Sequence, residues 1–214
     1  NKITHPKIVW MAWGADLYSN FLEKKGYILY KDPKLISKFS TTLKRKILRP
    51  VAIVVDKVQS YICYNSLKKI SYFAGLSVDY ALLLKYYPEF SHLIWKEFYY
   101  YPLDDIIPND VDTTNFGEYN IMVGNSAAYT ANHLSIFSLI SQIEFDETVR
   151  FIVPLSYAAI KYANYLIEKG KEILGNSLYP LTTFLSLDKY YSIFYSCNSF
   201  IYGNIRQEAV GNII

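Results

Sequence analysis

The chain reads as an α/β protein of two Rossmann-like lobes with parallel sheets, and three observations predict it. Short apolar runs alternate with helical periodicity in both halves, the pattern of βα units and hence of parallel sheets covered by helices. An aperiodic stretch carrying Pro108, Asp104, Asp105 and Asp110 separates the halves. At 214 residues the chain has room for one large α/β domain or two small ones. The expected division is an N-terminal lobe over 1–103, a linker over 104–118 and a C-terminal lobe over 119–214.

In the first lobe, Lys7–Ala12 reads as a buried strand, and the turn after it carries Trp13, Gly14, Asp16 and Tyr18. A polar group at the carboxyl end of a parallel strand sits where open α/β sheets place ligand chemistry. An aspartate there also serves as an ordinary turn or helix cap, and the residues alone leave both readings of Asp16 open. From Pro33 to Arg49 the pattern is helical, with Leu35, Ile36, Phe39, Leu43 and Ile47 on one side. Lys34, Lys38, Lys44, Arg45, Lys46 and Arg49 decorate it with no acidic residue among them. Such a helix either lies on an anionic membrane surface or packs on a sheet with a solvated basic face. Pro50–Leu67 reads as a separate helical piece and Ile70–Ala74 as a strand. Val78–Tyr87 reads as a helix capped by Ser77, and Phe98–Tyr101 as a strand stopped by Pro102.

In the second lobe the alternation is cleaner. Strand Asn120–Val123 leads through Gly124-Asn125-Ser126-Ala127 to a helix over Ala131–Ile143 that includes Asn132 and His133. Strand Val149–Val153 leads through Ser156 and Tyr157 to helix Ala158–Leu174, closed by Gly175. Leu178–Leu181 is a strand, Leu187–Tyr195 a helix and Ser199–Tyr202 a strand, with a helix from Arg206 onward. A strand, a small-residue turn and a helix N-terminus make a natural anion cradle, because first-turn amides have no partners inside the helix. The plain alternative is an ordinary βα turn. The strand ends at Gly124–Ser126, Pro154–Ser156 and Gly203–Gln207 share one sheet edge and favour the binding reading. Arg206, Gln207 and Asn212 could then grip a diphosphate. His133, at a helix start, is either a donor to a leaving group or a structural hydrogen-bonder.

Composition excludes several classes. A net charge of +3 is too small to imply nucleic-acid binding, so no nucleic-acid partner is expected. Cys63 and Cys197 belong to no metal-ligand pattern, and reduced cytoplasmic thiols are the simplest account; neither a metal nor a cofactor is expected. There is no Gly-x-x-x-x-Gly-Lys loop, no Gly-x-Ser-x-Gly elbow and no Gly-x-Gly-x-x-Gly fingerprint, which disfavours P-loop, hydrolase and NAD chemistry. The 22 tyrosines suit half-buried strands, sugar clefts and membrane interfaces, although an AT-rich coding sequence would also enrich them. The chain begins at Asn1 without methionine and ends at Ile214, where a helix is starting, so a fragment cut at both ends is expected.

Read in order, Trp10-x-x-Trp13-Gly14-x-Asp16-Leu17-Tyr18, Gly124-Asn125-Ser126-Ala127 with Asn132-His133, Pro154-Leu155-Ser156-Tyr157, Pro180-Leu181 and Arg206-Gln207-x-Ala209-x-Gly211-Asn212-Ile213 resemble one family. That family is the TDP-N-acetylfucosamine:lipid II N-acetylfucosaminyltransferases (4-alpha-L-fucosyltransferase-like, glycosyltransferase family 56). The resemblance covers nearly the whole chain. It implies a GT-B-like fold and metal-independent transfer of an N-acetylated amino-deoxyhexose from a dTDP-sugar. The implied acceptor is an undecaprenyl-diphosphate-linked saccharide at the cytoplasmic face of the inner membrane, in surface-glycan synthesis such as enterobacterial common antigen. On this reading Asp16 and His133 are catalytic. Gly124, Asn125, Ser126, Ala127, Asn132, Ser156, Tyr157, Arg206, Gln207, Gly211 and Asn212 bind the donor. Trp13, Gly14 and Tyr18 face the acceptor, and Pro33–Arg49 meets the membrane. One position departs from the family: Asn204 stands where members often carry a histidine. A non-catalytic nucleotide-sugar-binding module, or an inactive fragment of such an enzyme, is the alternative.

Overall fold

A computed structural model describes residues 7–40, 43–98, 119–145, 148–206 and 208. Contacts divide the chain into two compact units. The first comprises Asn1–Leu29, Thr41–Pro102 and Arg206–Glu208; the second comprises Tyr30–Ser40, Leu103–Ile205 and Ala209–Ile214. The expected linker 104–118 lies outside the described residues.

The first unit holds a parallel sheet in the order β1-β2-β3, formed by β1 (Val9–Met11), β2 (Tyr72–Gly75) and β3 (Ile94–Glu97). A short helical turn α1 (Ala15–Leu17), continued by a π-turn over Tyr18–Leu22, follows β1. Helix α4 (Ser77–Tyr86) follows β2. Leu17, Leu22, Phe73, Leu83, Phe90 and Leu93 are buried there, and Trp10 meets Phe73 edge-on at 5.1 Å. Burying each such side chain contributes roughly 1.5–3 kcal/mol.

Three expectations are corrected in this unit. The third strand among the described residues is Ile94–Glu97, where Trp95 registers with Phe73 and donates its indole N–H to Gly75 O at 2.9 Å. Phe98 of the expected strand Phe98–Tyr101 falls outside it, and the remainder lies outside the described residues. Ser77 is the first residue of α4, and its preceding cap position is Leu76, with no side-chain cap bond. The basic segment is not one helix ending before Pro50. α2 (Pro33–Ser40) belongs to the second unit, whereas α3 (Leu43–Leu67) runs through Pro50. Pro50 deprives one backbone carbonyl of its donor, but Pro50 is solvent-exposed, where water can serve that carbonyl.

The second unit holds a parallel sheet in the order β6-β5-β4-β7: β4 (Tyr119–Val123), β5 (Val149–Pro154), β6 (Leu178–Leu181) and β7 (Ser199–Ile201). The connecting helices are α5 (His133–Ile140), α6 (Ile160–Leu174) and α7 (Leu187–Tyr195). Strand alternation sorts the core into two faces. Ile121, Val123, Phe151 and Val153 pack with Phe137 of α5 and Leu166 of α6. Met122 and Ile152 point the other way, toward Ile193 of α7. Leu35 and Phe39 of α2 pack on the first face, with the Phe39 ring tilted against Tyr165 at 5.0 Å. The chain is thus α/β with two parallel sheets, as the sequence predicts. α5 begins two residues later than expected, after a 3₁₀ turn over Tyr129–Ala131. α6 also starts two residues late, because Ala158 takes a positive φ of 84°.

Candidate functional site

The strand order of the second sheet reverses between β4 and β7: successive strands step from β4 to β5 to β6, and the chain then returns to the other side of β4. In a parallel sheet this switch point opens a crevice at the carboxyl ends of the strands, where ligands bind. Gly124 follows β4 and Tyr202-Gly203-Asn204 follows β7, so two glycine-bearing loops flank the crevice.

Backbone bonds tie three loops together. Gly124 N–H donates to Ile201 O at 3.0 Å, and Ala127 N–H donates to Tyr157 O at 2.9 Å. Asn132 joins the third: its Nδ2 donates to Gly203 O and Thr130 O, each at 2.8 Å. Its Oδ1 accepts Lys31 N–H at 2.9 Å. Asn132 caps α5 with a φ of 51°, a left-handed conformation that asparagine tolerates better than most residues. Its carboxamide is therefore a clasp between loops.

Two glycines are dictated by close approach. Gly124 has a φ of +67°, and a Cβ there would lie 2.6 Å from His133 Nε2. A Cβ on Gly203 would lie 2.5 Å from the Ala131 carbonyl oxygen. His133 is fully buried directly behind Gly124, with its ring 6.1 Å from Phe137. It supports the loop from beneath. Ser126 is 1% exposed, and its Oγ has no hydrogen-bond partner. The buried Oδ1 of Asn125 has none either. Buried polar atoms without partners cost roughly 1–3 kcal/mol each, so two adjacent ones single this loop out as a candidate binding element.

Beside this loop a cavity of about 290 Å³ opens between Asn125, Pro154, Ser156 and Tyr157 and the start of α7. It lies close to the lower end of small-molecule pockets, roughly 300–1,000 Å³.

A family model described as 4-alpha-L-fucosyltransferase, glycosyl transferase group 56, matches residues 79–214, more than half of the chain. The chain belongs to the 4-alpha-L-fucosyltransferase family. Membership makes it a glycosyltransferase of fucosyl type, with a nucleotide-sugar donor and a glycan acceptor. Comparison with curated proteins and with solved structures gave no match.

In the first unit of this fucosyltransferase-family chain, Asp16 holds two bonds. Trp10 Nε1–H donates to Oδ2 at 2.7 Å and Trp13 N–H to Oδ1 at 2.8 Å. The second bond spans three residues and fixes the turn that exposes Trp13. Gly14 and Tyr18 are buried, and the Tyr18 hydroxyl donates to Asp79 Oδ1 at 2.6 Å. Sequence reasoning missed Asp79. It lies in the first turn of α4, 2% exposed, with Oδ2 unpartnered. Burial pushes its carboxyl above the ordinary value, the Tyr18 bond pulls it down, and the charge of Asp16 pushes it up. Its position in an apolar helix pattern disguised it.

Arg206 falls in the first unit, and its Nε donates to Glu208 Oε2 at 3.0 Å. Gly124, Asn125, Ser126, Ala127, Asn132, Ser156 and Tyr157 lie together in the second unit. Gln207, Gly211 and Asn212 lie outside the described residues. Also missed were Phe184, Leu187 and Tyr190 on the wall of the cavity; an exposed aromatic in a loop carries no pattern. Among the described residues no group of His, Cys, Asp or Glu gathers as a metal site.

Proposed function

We propose that this chain transfers an N-acetylated amino-deoxyhexose from a dTDP-sugar to an undecaprenyl-diphosphate-linked saccharide in surface-glycan synthesis, as in enterobacterial common antigen. The observation that carries the reading is the switch point of the second sheet. Its two glycine-bearing loops are locked together there, and one of them holds the unpartnered Ser126 Oγ and Asn125 Oδ1. Ser126 would donate to a diphosphate oxygen, and Gly124 lets that oxygen approach the backbone.

In the transfer, the acceptor hydroxyl oxygen attacks the anomeric carbon and the bond from that carbon to the diphosphate oxygen breaks. The electron pair stays on the leaving diphosphate. The hydroxyl proton passes to a base, and Asp16 is the proposed one, held in place by Trp10 and Trp13. Oriented dipoles around the leaving diphosphate stabilise its developing charge, the mode of a metal-independent GT-B enzyme. His133 supports the Gly124 loop, and the Arg206–Asn212 segment is a further proposed donor contact.

The reading also places the protein peripherally at the cytoplasmic face of the membrane that carries the acceptor. Among the described residues no helix is long and apolar enough to cross a membrane. The apolar side of α2 is occupied by the second core, through Leu35 and Phe39. Contact with an anionic surface therefore falls to α3, whose sequence opens with Lys44, Arg45 and Lys46.

The experiment is transfer from the dTDP-sugar to a short-chain lipid-diphosphate saccharide, alongside dTDP binding by calorimetry. Asp16→Asn is expected to lower turnover at least a hundredfold, the usual worth of a positioned base, with dTDP affinity unchanged. Undiminished turnover removes Asp16 as the base.

A further inference from the structure

We infer that the cavity beside the Gly124 loop is the seat of the donor's nucleobase; this rests on the proposed nucleotide-sugar reading. The cavity encloses about 290 Å³ and is walled by Tyr157, Phe184, Leu187 and Tyr190, with Asn125 and Ser156 at its polar side. It opens at the carboxyl ends of β4, β5 and β6, on the face of the sheet that carries α7.

The chemistry is that of a flat heterocycle. Tyr157, Phe184 and Leu187 are each more than three-fifths exposed, although such side chains are ordinarily drawn into a core. Large exposed apolar groups gathered around a concavity mark a ligand surface. Aromatic rings offer a base a stacking partner. Phosphates do not need such walls, and the loop that suits them lies next door.

The polar edge of the base also has a counterpart. Asn125 Oδ1 is buried and without a hydrogen-bond partner. A carboxamide places an acceptor beside a donor, so it can take the imide N–H of thymine while donating to the neighbouring carbonyl. Asn125 follows Gly124 directly, so one loop would serve the diphosphate through Gly124 and Ser126 and the base through Asn125. The nucleotide would lie across β4 and toward β5 and β6.

The test is calorimetric titration of the full chain with dTDP and, separately, with inorganic pyrophosphate. Wild type is expected to bind dTDP at least tenfold more tightly than pyrophosphate. Phe184→Ala and Asn125→Ala are each expected to erase most of that difference while leaving pyrophosphate affinity within twofold. Phe184 is 80% exposed, so its replacement leaves the core intact, and circular dichroism checks the fold of both variants. Equal affinity for dTDP and pyrophosphate overturns the base site and leaves the diphosphate site standing. Binding of neither overturns the donor reading and this inference with it. Tighter dTDP binding that survives both substitutions puts the base elsewhere and overturns the assignment.

Discussion

At the scale of single residues, the site is built by what cannot be there. Gly203 has no room for a methyl group because the Ala131 carbonyl oxygen, a backbone atom, would stand 2.5 Å from it. Gly203→Ala must therefore pull the loop after β7 away from Asn132 and strain the clasp to Gly203 O. The expected cost is about 1–3 kcal/mol of stability, as for overpacking of a tight site, read from urea unfolding. An unchanged midpoint would show that the loop is not clamped there. Asp79 is the opposite case, a group present where charge is costly. Its folded carboxyl titrates above its unfolded value, chiefly from burial. Its contribution to stability is therefore full at pH below the unfolded value and is lost as pH rises through the folded one. Wild type should lose more melting temperature than Asp79→Asn across that rise, and parallel curves would contradict the assignment. Cys197 is likewise tuned by burial, which pushes its thiol up to about 11 and keeps it protonated at neutral pH.

At the scale of elements, α3 shows how far local pattern reaches. One stripe of it carries Val51, Val54, Val55, Val58 and Ile62, at helical spacing and each more than half exposed. An apolar stripe of this kind on an exposed helix, in a segment rich in cations, suits the interface of an anionic bilayer. Val55→Ser with Val58→Ser should reduce co-sedimentation with anionic lipid vesicles several-fold while leaving dTDP binding unaltered. Retained sedimentation would overturn the proposed contact of α3 with a membrane. The sequence divided this region at Pro50 because proline ends most helices. Helix α3 instead continues through Pro50 to Leu67. The strands Leu178–Leu181 and Ser199–Ile201 and helix α7 were legible because each is a short apolar or amphipathic run between turn residues. β3 was not, because an edge strand with mostly exposed side chains lacks the apolar run that marks its neighbours.

At the scale of the whole molecule, membership of the 4-alpha-L-fucosyltransferase family and two parallel sheets agree on a nucleotide-sugar enzyme. A ligand that binds only the folded chain must stabilise it. dTDP at a hundred times its dissociation constant is expected to add about 2.7 kcal/mol, seen as a rise in melting temperature. No rise at saturating dTDP would refute the donor.

The sequence alone determined the α/β class and the clustering of Gly124, Ser156 and Gly203 at one sheet edge. Alternation of short apolar runs with helical periods is a local property, and parallel pairing then puts every strand end on the same side. Tertiary structure decided the rest. The crossing from β6 to β7 set the switch point, and burial turned His133 and Asn132 into supports for the loops. Packing of distant segments left Asp79 inside the first unit and Phe184 and Leu187 outside the second core. Burial and charge proximity depend on which segments meet across long stretches of chain, and no local pattern encodes that.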